Sequence, residues 1–430
     1  MVPKIKNRKL AFLAWICILI VAGMLFLSLF RPALRYEIED TSALDLASED
    51  FLPQLEVLAH SRLYRQNSIE VLTDGSTFYE AELEAISGAR QSVQLEAYIF
   101  QPGEIADRLT KVLAERARAG VEVKVILDGV GSMGTFEGYF QEVDDAGGRV
   151  VFYHPAHWYT WDRYNNRTHR EIIVVDGEVG FVGGAGIADH WFKPQDDQPP
   201  WRDVMFRVRG EAIAGLQSVF MENWAEAAGE ILDFEKDIPL PDPEGDTPAM
   251  IVGGTPSVGG SSRNRIIFQV FLASARESLF ITNPYFLPDA GIRRELIRAV
   301  RERGVDVKVI TSSHNTDQSF TRSASRRLYG ELLEAGVEIY EYQPTMNHVK
   351  TMLVDGLWSV VGTTNFDHRS FGLNDEVNLV ARSRELTERI EQDFRRDLSK
   401  SRRVTYREWA NRPLGERLSE TLSGLLERQQ

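Results

Sequence analysis

Residues 347–370 have the residue types and the spacing needed to act on a phosphate group. Six positions fit the pattern H-x-K-x4-D-x6-G-[ST]-x-N: His348, Lys350, Asp355, Gly362, Thr363 and Asn365. Because residues i and i+2 of an extended strand point to the same face, His348 and Lys350 can address one anion together. The imidazole would act as a nucleophile or transfer a proton, and the ammonium would bind a phosphate oxygen. Asn365 can donate to the same oxygens.

The glycine-enabled turn of Gly362 and Thr363 is expected to line the phosphate site. Asp355 completes the candidate catalytic set, although we expect it to support the site rather than to react.

Residues 168–191 carry an altered copy of this pattern, with its histidine 179 positions earlier. His169 and Asp176 are the candidate catalytic residues at matching positions, and Gly183 is the matching candidate for phosphate binding. Glu171 stands where the pattern has lysine, and Gly186 stands where it has asparagine. A carboxylate facing a phosphate is unfavourable, because like charges in a partly dry site cost several kcal/mol.

Three outcomes are open for this variant motif. Glu171 is protonated, or is turned aside while a nearby basic residue supplies the charge, the candidates being Arg163, Arg167 and Arg170. Alternatively, the first motif keeps only its histidine, while Lys350 and Asn365 hold the phosphate alone. In the third outcome the site is inactive.

Two copies of one structural unit position these motifs. The sequences AGVEVKVIL and RGVDVKVIT recur at an offset of 184 positions, which indicates an internal repeat. In each copy a strand and a helix precede this segment, and a strand bearing the histidine follows later. The alternation predicts an α/β fold with two pseudosymmetric halves, each a mixed sheet flanked by helices.

The composition changes along the chain predict six segments. A cytoplasmic tip and membrane anchor (1–35) precede a connector (36–67), which we expect to be helical. The first half (68–237) and the second half (263–398) are separated by a Pro/Gly-rich linker (238–262), and a helical tail (399–430) follows.

Residues 10–30 form an uncharged, apolar run of 21 residues. A helix of this length spans about 30 Å, the thickness of the hydrocarbon core of a bilayer. The run is longer than the apolar region of a signal peptide, which favours a transmembrane anchor. Four basic residues precede it and two follow, so we expect a single-pass protein of the cell membrane with a cytoplasmic N-terminus and an extracytoplasmic body.

The charge balance disfavours nucleic acid as a partner. The net charge is −14, and no acidic residue precedes Glu37, so the rest of the chain carries −20. Because Lys and Arg contacts to phosphates supply most non-specific affinity for nucleic acid, such a body binds polyanions poorly.

The two motifs and the order of elements around them resemble the phospholipase D superfamily, and within it the membrane-anchored cardiolipin synthase-like members. The resemblance covers roughly residues 68–398. It implies that the two motifs meet in one active site, that one histidine forms a phosphohistidine, and that the other protonates the departing alcohol. It also implies acids that orient the histidines, by position Asp203 and Glu376, and neither metal nor organic cofactor.

The leading interpretation is a phosphatidyltransferase of cardiolipin synthase type acting on phosphatidylglycerol or a similar phospholipid at a membrane. A phospholipase D-type hydrolase that releases phosphatidic acid is the close alternative. A nuclease or other phosphodiesterase on the same scaffold, or a degenerate lipid-binding protein, is also open.

Overall fold

The computed structural model describes residues 8–29, 38, 45–135, 137–155, 163, 165–195, 198–232, 240–254 and 262–424. The helices are α1 (Arg8–Leu29), α2 (Phe51–Ala59), α3 (Gly75–Ser87), α4 (Glu104–Arg118), α5 (Gln141–Asp145), α6 (Asp189–Phe192), α7 (Ile213–Ala228), α8 (Arg263–Ser274), α9 (Ala290–Arg303), α10 (Ser319–Arg327), α11 (Tyr329–Ala335), α12 (His368–Gly372), α13 (Arg384–Ser399), α14 (Tyr406–Ala410) and α15 (Leu414–Gly424).

The strands are β1 (Leu63–Tyr64), β2 (Asn67–Thr73), β3 (Ser92–Ala97), β4 (Glu122–Asp128), β5 (Arg149–Tyr153), β6 (Ile172–Val175), β7 (Val179–Gly183), β8 (Val204–Gly210), β9 (Ala249–Gly254), β10 (Ser278–Thr282), β11 (Asp306–Ser312), β12 (Glu338–Tyr342), β13 (Thr351–Val354), β14 (Trp358–Gly362), β15 (Glu376–Arg382) and β16 (Ser401–Val404).

These strands form two sheets with the same internal order. The first sheet runs β2-β8-β7-β6-β3-β4-β5, and the second runs β9-β15-β14-β13-β10-β11-β12 with β1 and β16 added at its edges. In each sheet the three strands that alternate with helices are parallel, and the other strands pair antiparallel. The predicted α/β class and the duplication into two mixed sheets are confirmed.

The two sheets share a hydrophobic core. One buried cluster combines side chains of the first sheet, among them Val182 and Val208, with side chains of the second, among them Leu353 and Val361. Burial of apolar surface at this junction stabilises the pairing of the halves. The histidine-bearing segments therefore meet at a packed interface.

The structure corrects the predicted borders of the segments. The stretch predicted as a linker, 238–262, contains β9, which pairs with β15 inside the second sheet. The tail predicted as helical, 399–430, begins with β16, which pairs with β12. Within the connector, α2 buries Phe51 and Leu55 in the core of the second half, so its amphipathic face belongs to that half.

The predicted membrane anchor coincides with α1. Within the described residues, none of the helices combines the length and apolarity required to cross a lipid bilayer. The transmembrane assignment of residues 10–30 is therefore not confirmed and stays a prediction.

Candidate active site

Backbone hydrogen bonds between the two halves hold the two histidine segments. The amide of His169 donates to the carbonyl of Asp375 in the second half (2.8 Å), and the amide of His348 donates to the carbonyl of Arg202 in the first half (2.8 Å). Each bridge ends one residue before a predicted acid, Glu376 or Asp203. The chain therefore places each histidine beside the acid of the opposite half.

The side chains complete these two pairs. His348 Nδ1 lies 2.8 Å from Asp203 Oδ2, and His169 Nδ1 lies 2.9 and 3.0 Å from the two oxygens of Glu376. Thr363 Oγ1 donates to Glu376 Oε2 (2.6 Å), which fixes that carboxylate. A carboxylate at Nδ1 holds the proton there, leaves Nε2 free to react and stabilises the imidazolium.

Lys350 is the cation at the centre of the site. Its Nζ donates to the His348 carbonyl (2.8 Å) and lies 3.0 Å from each ring nitrogen of His348. Burial lowers the pKa of Lys350 to about 8, although the carboxylates of Asp203, Glu376 and Glu171 favour its charged form. Burial, followed by the charge of Lys350, lowers the pKa of His348. Both effects favour the neutral imidazole of His348, while Asp203 opposes them.

Aromatic rings surround the two histidines. The ring centroids of Trp191, Trp201 and Tyr285 lie 5.4, 5.9 and 6.4 Å from that of His348. Tyr98 lies 5.2 Å from His169. The two tryptophans were missed, because no spacing distinguishes them from ordinary core tryptophans.

The structure does not bring Asp176 and Asp355 to the histidines. Each carboxylate accepts hydrogen bonds from three successive backbone amides, at residues 90–92 for Asp176 and 276–278 for Asp355. Both residues have positive φ, 55° and 52°, and both follow the ends of β6 and β13 remote from the histidines. Their contacts identify them as turn residues that tie two neighbouring strands together.

The predicted glycines and Asn365 have different surroundings. A Cβ on Gly183 would lie 2.6 Å from the Val204 carbonyl oxygen, and one on Gly362 would lie 2.2 Å from the Val377 carbonyl oxygen. Close strand packing therefore requires both glycines. Asn365 is buried, and its Oδ1 has no hydrogen-bond partner among the described residues; donation by its amide to a phosphate stays a prediction.

The side chain of Glu171, which replaces the lysine of the motif, is buried near the end of β3. Its Oε1 accepts hydrogen bonds from the amides of Tyr98 (3.0 Å) and Ile99 (3.3 Å). Burial raises its pKa well above the ordinary value; the two amides and then Lys350 oppose this shift. The protonated form is therefore the favoured one among the three outcomes considered for this motif.

The arginines proposed as substitutes for the missing lysine have other partners. Arg170 is buried and pairs with Glu222, Arg167 contacts Asp128, and Arg163 contacts Glu226. The three guanidinium groups thus contact carboxylates that lie outside the variant motif.

Comparison with known proteins finds the same organisation in lipid-synthesis enzymes. A family model described as "Cardiolipin synthase, PLD-like domain" matches residues 83–197 and 269–398. A cardiolipin synthase of Geobacillus sp. (strain WCH70) is 35% identical over 359 residues, which cover 83% of this chain and 71% of the relative. The major cardiolipin synthase ClsA of Bacillus subtilis (strain 168) is 32% identical over 383 residues, covering 88% of this chain and 79% of the relative.

Among solved structures, the phosphatidylserine synthase of Haemophilus influenzae Rd KW20 superposes with a TM-score of 0.66 and 16% identity. The superposition covers 88% of this chain and 100% of that one. At this identity the likeness concerns the fold alone.

Proposed function

The chain belongs to the cardiolipin synthase family of phospholipase D-like proteins, and we propose that it forms cardiolipin by transferring a phosphatidyl group from phosphatidylglycerol to the hydroxyl of a second lipid. The observation that carries this proposal is the pair of histidines, each held at Nδ1 by a carboxylate of the opposite half, with Lys350 beside His348. Two such groups suit a two-step transfer, because one can attack phosphorus while the other moves a proton.

His348 is the nucleophile in this mechanism. Its lowered pKa favours the neutral ring, and its Nδ1–H faces Asp203. The lone pair of Nε2 attacks phosphorus once Lys350 Nζ, 3.0 Å away, turns to the phosphoryl oxygens. A bond forms between Nε2 and phosphorus as the bond from phosphorus to the glycerol oxygen breaks. Asp203 then stabilises the positive ring of the phosphohistidine, and Lys350 stabilises the charge on the phosphoryl oxygens.

His169 handles the proton in both steps. As an imidazolium stabilised by Glu376, it gives the Nε2 proton to the departing glycerol oxygen. The neutral ring then accepts the proton of the incoming lipid hydroxyl as that oxygen attacks phosphorus and the bond between phosphorus and His348 breaks. One imidazole thus serves as acid and then as base, and the enzyme returns to its starting state.

Exclusion of water favours transfer over hydrolysis in this proposal. Trp191 and Trp201 cover His348 on one side, where water would otherwise reach the phosphohistidine. The lipid acceptor therefore has an advantage over water.

The proposed location is a membrane surface. The apolar run of residues 10–30 would anchor the body through α1, with the N-terminus in the cytoplasm and the site on the opposite side. An anchored site would stay within reach of phospholipid substrates. Fusing a phosphatase and a fluorescent reporter to the C-terminus tests this orientation, since phosphatase activity is expected and cytoplasmic fluorescence would contradict it.

The function is tested by expression in bacterial cells that lack cardiolipin. Lipid extracts are compared for the wild type, His169→Ala, His348→Ala and a control, His60→Asn. His60 is exposed and adopts a φ of 47°, which asparagine tolerates.

Cardiolipin is expected with the wild type and the control and should be missing from both other variants. Phosphatidic acid in place of cardiolipin would identify a hydrolase. An unchanged lipid profile with cleavage of single-stranded oligonucleotides by the purified protein would identify a nuclease.

A further inference from the structure

Glu171 and Gly186, the two residues at which the first motif departs from the pattern, lie next to each other. A Cβ on Gly186 would lie 3.0 Å from Glu171 Oε1, 2.6 Å from the Ile99 carbonyl oxygen and 2.9 Å from Ile99 Cβ. Tyr79 donates its hydroxyl proton to the Gly186 carbonyl (2.6 Å), which holds this backbone in place. An asparagine at 186 would collide with its surroundings. The absence of a side chain at 186 leaves room for the Glu171 carboxyl, whose Oε1 lies close to this backbone.

Glu171 lies on the side of its segment that carries His169. His169 points to Glu376, whereas the next residue, Arg170, points the opposite way and donates to the Val219 carbonyl (2.6 Å). Glu171 returns to the first side, as expected of an extended chain.

Lys350 approaches the same loop as Glu171. A Cβ on Gly184 would lie 3.1 Å from Lys350 Nζ, and one on Gly186 would lie 3.0 Å from Glu171 Oε1. The ammonium and the carboxyl group therefore lie beside positions two residues apart, and each contributes to the electrostatic environment of the other.

The hydrogen bonds of Glu171 leave one oxygen available. Oε1 accepts from two backbone amides, whereas Oε2 has no hydrogen bond to a described residue. The titratable groups that face the carboxyl are Lys350, the buried Glu82, Tyr79 and Tyr98. Burial and the neighbouring Glu82 favour the neutral acid, and an arriving phosphate adds a further negative charge that favours it.

We propose that Glu171 is a substrate-binding residue that holds its proton on Oε2 and donates it in a hydrogen bond to a phosphoryl oxygen. The position that corresponds to Lys350 in the first motif thus supplies a neutral donor instead of a second ammonium. With one cation in place of two, the site suits a phosphodiester with a single negative charge and disfavours a phosphomonoester with two. This inference rests on the phosphoryl transfer proposed above.

Infrared difference spectroscopy with vanadate tests the hydrogen bond directly. Vanadate mimics the five-coordinate phosphoryl group, and the purified full-length protein is measured with and without it. Wild type is expected to show a protonated-carboxyl C=O band that is missing in Glu171→Gln and shifts when vanadate binds. An ionised carboxylate band from Glu171 would overturn the proposal. A C=O band of the protonated carboxyl group that does not shift when vanadate binds would also overturn it. Neither result depends on cardiolipin formation, so failure of the proposed function is detected separately by lipid analysis.

Kinetics of matched variants give a second readout. Glutamine keeps both a donor and an acceptor, so Glu171→Gln should lower kcat less than tenfold. Glu171→Met removes both and should lower kcat about 10²–10³-fold, the usual effect of losing one donor to a developing anion. Equal losses in the two variants would contradict a neutral donor.

Discussion

Replacing Asp203 with asparagine separates the chemistry of the cross-half pair from its packing. The side chain is buried, and its Oδ2 lies 2.8 Å from His348 Nδ1. Asparagine has nearly the same volume and keeps the oxygen that accepts from the Val204 amide (2.9 Å). Two things change: the charge that faces the cationic phosphohistidine ring is lost, and the amide N–H of asparagine drives the ring proton onto Nε2, the attacking atom.

The electrostatic loss sets the expected size of the effect. Two unit charges about 4 Å apart interact by about 4 kcal/mol at an effective dielectric constant of about 20. Since about 1.4 kcal/mol corresponds to a tenfold change in rate, Asp203→Asn should lower kcat roughly 10³-fold. The altered tautomer acts in the same direction.

The assay is the rate of cardiolipin formation from phosphatidylglycerol in mixed micelles, with thermal unfolding followed by circular dichroism. The matched control is Asp176→Asn, which alters a carboxylate that binds backbone amides at the far end of the same half. The control should lower the Tm and leave kcat within threefold of wild type. A kcat for Asp203→Asn within tenfold of wild type, at unchanged Tm, would refute the reasoning.

Four further results are expected. Asp355→Ala leaves three amides without their acceptor, so denaturant titration should show a loss of about 1–3 kcal/mol in the free energy of unfolding, with kcat of the folded protein maintained. Gly184→Ala places a Cβ 2.9 Å from Asp203 Oδ1 and 3.1 Å from Lys350 Nζ and should lower kcat at least about tenfold by displacing these two groups; an unchanged kcat would contradict the close packing. Trp201→Ala admits water to His348, and lipid chromatography should show a higher ratio of phosphatidic acid to cardiolipin. Because burial and Lys350 lower the pKa of His348 from 6.5, the ring loses its proton at a lower pH than a free imidazole, and the acid limb of kcat/KM should lie below pH 6.5.

The spacing of chemical groups along the chain was sufficient to predict the centre of the site. His348 and Lys350 share a strand face, and the offset of the repeat identifies His169 as the counterpart. Asp203 and Glu376 were identified by their positions after the motifs, and the structure places each at the Nδ1 of a histidine. The sequence could not show that each acid pairs with the histidine of the opposite half.

The motif positions of Asp176 and Asp355 did not reveal the roles of these two acids. Asp176 and Asp355 match the motif as well as the histidines do, yet their carboxylates bind backbone amides at turns. Both roles use a carboxylate that accepts hydrogen bonds, and only the three-dimensional neighbours distinguish them. The positive φ of both residues is a feature that asparagine and aspartate tolerate, but it leaves no pattern in the sequence.

Local composition also gave no indication of the strand β9. The strand β9 lies in a stretch rich in proline and glycine, and its short apolar run ends in two glycines. Long-range pairing with β15 makes it a strand, against its local propensity. Similarly, Gly186 looked like a lost asparagine until the structure showed the Glu171 carboxyl beside it.

The central claim is that the two halves form one site in which His348 carries the phosphatidyl group and His169 moves the proton. Mass spectrometry of peptides from His169→Ala and wild-type protein, mixed with phosphatidylglycerol and quenched in alkali, tests it most directly. The account predicts a phosphatidyl adduct on His348 in the wild type and less of it in His169→Ala, because the departing glycerol oxygen then lacks its acid. An adduct on His169 in the wild type, or cardiolipin formation in His348→Ala, would contradict it.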